Sequence, residues 1–104
     1  MAKYVFLIMV NPVEGQDATL NAWLDDHHIP EVLETQGFKR CTRYQLAPEG
    51  ANPKATRYMH QYEIETDDLA AVQAALGAGN DKRTPLTPAV DLSTMFTAWY
   101  RLKD

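Results

Sequence analysis

The chain has 104 residues, 45% of them apolar and 23% charged, with a net charge of −4. That length supports one hydrophobic core rather than two, and the composition excludes an intrinsically disordered chain. Ten Lys and Arg face fourteen Asp and Glu and are scattered apart from Lys82-Arg83, so the concentrated basic face of a nucleic-acid binder is missing and no nucleic-acid partner is expected.

Cys41 is the only cysteine. No intrachain disulfide can form, and a reducing cytoplasm is the expected setting. The first element, Tyr4 to Val10, is an apolar run without alternation. It predicts a strand buried on both faces. It is too short to span a membrane and lacks a signal peptide's basic flank and small-residue cleavage site, so no membrane association is expected. Asn11 to Gly15 is turn chemistry, and Asp17 or Thr19 can cap the helix that follows.

That helix runs to about Asp26. Leu20, Trp23, Leu24, His27, His28 and Glu31 follow helical spacing, which sets both imidazoles on or beside the apolar stripe. Pro30 cannot donate a backbone hydrogen bond and disfavours α geometry at Ile29, so a break or kink is expected there. A second segment covers Glu31 to Thr35 and is stopped by Gly37. Phe38 to Leu46 predicts a strand with Phe38, Arg40, Thr42, Tyr44 and Leu46 on one face. Pro48 to Pro53 is a loop, and Thr56 to Glu65 the next strand. Thr66-Asp67-Asp68 starts a helix holding Leu69, Val72 and Leu76, which ends at Gly77 and Gly79. Asn80 to Asp91 is a long loop, and Leu92 to Leu102 the last strand.

The order β-α-β-β-α-β is the split βαβ arrangement of an α+β, ferredoxin-like domain with a four-stranded antiparallel sheet. Helices cover only one face of such a sheet. The first and last strands are apolar on both sides, which predicts a second copy of the chain packed sheet on sheet, a homodimer.

The string Trp23-Leu24-Asp25-Asp26-His27-His28-Ile29-Pro30-Glu31-Val32-Leu33, after a Tyr-Val-Phe-Leu-Ile strand, resembles the dimeric α/β-barrel superfamily, and within it the EthD-like branch. Arg57-Tyr58-Met59-His60-Gln61-Tyr62-Glu63-Ile64 is similar to that branch's Tyr-containing strand. The resemblance covers nearly all of residues 1–104 and implies a single dimeric α/β-barrel domain. It also implies a site inside each protomer, between helices and sheet, with His28 as the matching residue of the His-x-Pro element. His60 departs from the pattern, since a small or apolar residue is common there. The superfamily holds cofactorless monooxygenases, isomerases, cyclases, haem-handling enzymes, dehydratases and members with no demonstrated activity, so fold does not fix function.

On the third strand, Tyr58, His60 and Tyr62 share one face by period two. If the first helix covers that face, His28 or His27 meets His60 and a tyrosine. Such a set suits general acid–base work, in which an imidazole removes a proton beside a carbonyl and a phenol or second imidazole protonates or holds the oxygen. Trp23, Phe6, Tyr44, Phe96 and Tyr100 are candidate walls for a ring-shaped substrate. Adjacent His27 and His28 point about 100° apart on a helix and make a poor chelating pair. No His-Glu-x-x-His or Cys-x-x-Cys spacing and no Gly-rich phosphate loop is present, so no metal, nucleotide or other cofactor is expected. The expectation is a small lyase or isomerase of dehydratase, cyclase or isomerase type, acting without a cofactor on a carbonyl-bearing cyclic or aromatic metabolite. The alternatives are a non-catalytic accessory or ligand-binding protein, or a cofactorless monooxygenase.

Overall fold

Residues 1–104 are described by a computed structural model. Strand β1 (Ala2–Pro12) leads through helix α1 (Asp17–Trp23), a π-helical turn (Leu24–His28) and helix α2 (Ile29–Val32) to strand β2 (Phe38–Gln45). Strand β3 (Tyr58–Thr66), helix α3 (Leu69–Ala78) and strand β4 (Val90–Arg101) complete the chain. The strands form one antiparallel sheet in the order β2-β3-β1-β4. This is the α+β, ferredoxin-like topology that the element order predicts. The most apolar strand, β1, lies between β3 and β4, pairing Ile8 with His60 and Thr97, and Phe6 with Tyr62 and Trp99.

The helices cover one sheet face, and the core fills the space between. Ile8, Val10, Leu20, Leu24, Ile29, Val32, Tyr62, Ile64 and Val72 are all buried there. Asp68 caps α3 by accepting a hydrogen bond from the Ala71 amide at 3.1 Å, as its place before the apolar spacing predicts. Gly37 takes φ +86°, and a β-carbon there would stand 3.1 Å from Val72 Cγ2. Both the turn and the close approach of α3 require glycine. No helix is long and apolar enough to cross a membrane.

Four expectations need correction. The helix does not break at Pro30: His28 and Ile29 keep helical dihedrals, and the Ile29 amide bonds to the Leu24 carbonyl, five residues back. Widening the turn by one residue makes room for a proline ring that would otherwise crowd the preceding turn. Gln16 rather than Asp17 or Thr19 occupies the cap of α1, with no side-chain bond to it. Asp17 instead accepts bonds from Arg57 Nη1 at 2.7 Å and Tyr58 OH at 2.9 Å. In β2 a bulge between Phe38 and Arg40 shifts the register. Phe38 therefore enters the core, whereas Arg40, Thr42 and Tyr44 face the other way. Within one chain, β1 is covered on the helix side only, and Val5, Leu7 and Met9 on the far side remain partly exposed.

Candidate active site

A cavity of about 450 Å³ lies between the helices and the sheet, a size that suits a ring-shaped metabolite. Thirteen of its 18 lining residues are hydrophobic, so each polar group in the wall stands out. From β1 come Phe6, Ile8 and Val10; from the helices, Leu20, Trp23, Leu24 and His28; from β3, His60 and Tyr62. Arg83 and Leu86 reach it from the segment between α3 and β4.

The π-helical turn sets the direction of His28. Its imidazole stacks on the Trp23 indole with ring centroids 4.5 Å apart and planes within 14°. The indole is held in turn by donating Nε1 to the Pro85 carbonyl at 3.0 Å. Period-two alternation along β3 aims His60 and Tyr62 toward the same space, and both are buried, 2% and 1% exposed. Their rings meet edge to face at 5.5 Å.

His28 Nδ1, His60 Nδ1 and Tyr62 OH are buried and have no hydrogen-bond partner in the protein. Buried polar atoms are nearly always paired, and each one left unpaired costs about 1–3 kcal/mol. Three of them belong to residues lining one cavity, so a polar group within it can pair with them.

The electrostatics assign their protonation states. Burial lowers the pKa of His28, helped by the positive charge of Arg83 and opposed by Glu31. Burial pushes His60 down to about 3, with further contributions from Arg43 and His28. Both imidazoles are thus neutral near pH 7. Burial also raises the pKa of Tyr62, which stays a protonated phenol. Arg43 stands behind His60 on β2, bonded to Asp25 at 2.5 Å and to Asn21 at 2.6 Å. Burial holds the Cys41 thiol up at about 11, so it is protonated and a poor nucleophile. No three His, Cys, Asp or Glu side chains are grouped so as to hold a metal ion.

The remaining sequence candidates lie elsewhere. His27 is exposed and does not line the cavity, because its neighbour on the turn takes the inward direction. Tyr58 shares the face of His60, yet it sits nearer the strand's start, where its hydroxyl is bonded to Asp17. Tyr44, Phe96 and Tyr100 pair with Met59, Met9 and Val5, which puts them on the sheet's far face, 46%, 53% and 56% exposed. None of the three contributes to a wall of this cavity. Trp23 and Phe6 do. The residue that sequence reasoning missed is Arg83, read only as part of a basic dipeptide. Its one signal was an arginine in the segment leading into the last strand.

A family model described as a domain of unknown function, DUF4286, matches residues 3–73. The chain belongs to that family. Among curated proteins, no relative of this DUF4286 member is found by sequence. Its fold is similar to a crystal structure of a candidate monooxygenase from Shewanella loihica PV-4, with TM-score 0.63 and 18% identity over 100% of this chain and 98% of the other. It is also similar to an EthD family protein from Bacillus halodurans C-125, with TM-score 0.50 and 12% identity over 95% and 96% of the two chains. At these identities the likeness establishes the fold that the DUF4286 member shares with them.

Proposed function

We propose that this protein is a small cofactor-independent enzyme of lyase or isomerase type. It removes a proton next to the carbonyl of a ring-sized metabolite. The observation that carries this reading is the set of three unpartnered polar atoms, His28 Nδ1, His60 Nδ1 and Tyr62 OH, around a mainly apolar cavity. His28 is the general base, since it is neutral and less deeply buried than His60. The Tyr62 phenol donates to the substrate oxygen as negative charge develops there. His60 is too weak a base at neutral pH to carry the proton; it holds the same oxygen or the ring. The acting unit is residues 1–104 as one EthD-like, dimeric α/β-barrel domain. Its partner is a second copy on the sheet's far face, and its setting is the reducing cytoplasm.

The test is proton–deuterium exchange at the α-carbon of cyclic ketones such as 2-tetralone, followed by NMR in deuterated buffer. The protein should accelerate exchange over buffer, and His28→Ala should abolish the acceleration while the melting temperature stays within a few degrees. Binding without exchange would instead mark a ligand-binding protein.

The likeness to a candidate monooxygenase supports a second reading that shares the first step. The anion left on a phenol or anthrone-type substrate would pass electrons to dioxygen, one oxygen atom entering the product and the other leaving as water. Oxygen uptake equimolar with substrate consumed separates this reading from the first.

A further inference from the structure

The cavity carries one formal charge. No Asp or Glu lines it, both of its histidines are neutral, and Arg83 is its only cation. Arg83 forms no ion pair. Its Nη1 donates to Asn80 Oδ1 at 2.7 Å and its Nη2 makes a long contact to Thr35 Oγ1 at 3.4 Å, both neutral acceptors. A guanidinium has five N–H donors and is permanently charged, so donors remain for a ligand, and the side chain also borders a surface groove that it shares with Glu31 and Glu34. The segment is also fixed in place. The Thr84 amide and hydroxyl donate to the Glu31 carboxylate at 2.8 and 2.6 Å, immediately after Arg83. Gly79 leaves room for the fork, because a β-carbon there would stand 2.7 Å from Arg83 Nη2.

We infer that the ligand of this cavity is an anion, an apolar ring body bearing a carboxylate or an acidic phenol whose charged oxygen pairs with Arg83. An unpaired cation at the wall of an apolar site favours such a ligand over its neutral isostere and discriminates against cations. This rests on the reading of the cavity as a ligand site, and it names the class of molecule that enters. Around Arg83 the same cavity offers apolar walls, Phe6, Leu20 and Leu24 among them, and the polar side chains of His60 and Tyr62.

The test compares 2-naphthoate with 2-naphthalenemethanol, probes of like shape that differ in charge, by isothermal titration calorimetry. The wild-type protein should bind the acid about tenfold more tightly, the equivalent of one charge-assisted contact. Arg83→Gln should bring the acid down to the affinity of the alcohol and leave the alcohol unchanged. Arg83→Lys should restore part of the preference. Equal affinities in the wild type, equal losses of both probes in Arg83→Gln, or binding of neither probe would each overturn the inference. If the acid shows no preference yet His28→Ala still abolishes α-proton exchange, the acid–base reading stands and only the anion assignment fails. If the acid binds through Arg83 but no exchange occurs, the anion assignment survives and the acid–base reading fails.

Discussion

His60 is an imidazole placed where a charged one is poorly tolerated. The unfolded chain takes up its proton near the ordinary pKa of 6.5, whereas the folded chain resists until about 3. Between those values the unfolded state binds more protons, so stability falls as pH falls and is fully present only above about 6.5. Each tenfold change in proton affinity corresponds to about 1.4 kcal/mol, which makes His60 a large contributor to acid unfolding. His28 acts in the same direction from a less buried position. His60→Gln should therefore lose less stability than the wild type between pH 7.5 and pH 4.5, as measured by urea midpoints. Equal losses would mean that the imidazole protonates freely in the folded state. Because Gln retains hydrogen bonding, α-proton exchange should fall only a few-fold in this variant, in contrast to the complete loss in His28→Ala.

At the scale of elements, the cavity is shaped by two devices, the π-helical turn and the segment from α3 to β4. The segment is tied to α2 by Glu31 and to α1 by Trp23. Glu31→Ala removes both acceptors for Thr84 at once, so the Thr84 amide should exchange with solvent much faster by hydrogen-exchange NMR. Affinity for 2-naphthoate should fall several-fold as Arg83 loses its fixed position. An unchanged exchange rate would show that Trp23 alone holds the segment. The elements themselves were legible in the sequence because periodicity and turn chemistry are local. Gly37 ended the first helical stretch, Asp68 opened α3, and alternation in β3 put His60 beside Tyr62 on the inner face. The register was not legible. A bulge of one residue after Phe38 reverses the facing of Arg40, Thr42 and Tyr44, and nothing in the order of residues marks it. The choice between His27 and His28 was equally hidden, since it depends on whether the helix breaks or widens at Pro30. Arg83 was missed because its importance comes from the cavity it borders, contributed by residues distant in sequence.

At the scale of the whole molecule, the sheet's far face remains to be covered. Val5, Leu7, Met9, Tyr44, Phe96 and Tyr100 share it, and Phe96 and Tyr100 are more than half exposed. Such a surface is costly to leave in water, and a face presented by one copy can be matched by the same face of another. A homodimer should bury on the order of 1,600 Å² in total. Light scattering at micromolar concentration should give twice the 11.8 kDa of one chain. Phe96→Glu should shift the protein to monomers while the cavity on the opposite face still binds its probe. A wild-type monomer at these concentrations would remove the sheet-on-sheet assembly.

The stacking of Trp23 on His28 also makes that imidazole optically visible. An indole in contact with an imidazole loses emission when the imidazole takes a proton. The other tryptophan, Trp99, is stacked on Phe6 at 4.1 Å instead, next to a ring that does not titrate. A fluorescence titration of the native chain thus reads the charge of one side chain. The protein carries its own indicator for the proton on His28, and occupation of the cavity should register on the same signal without a label.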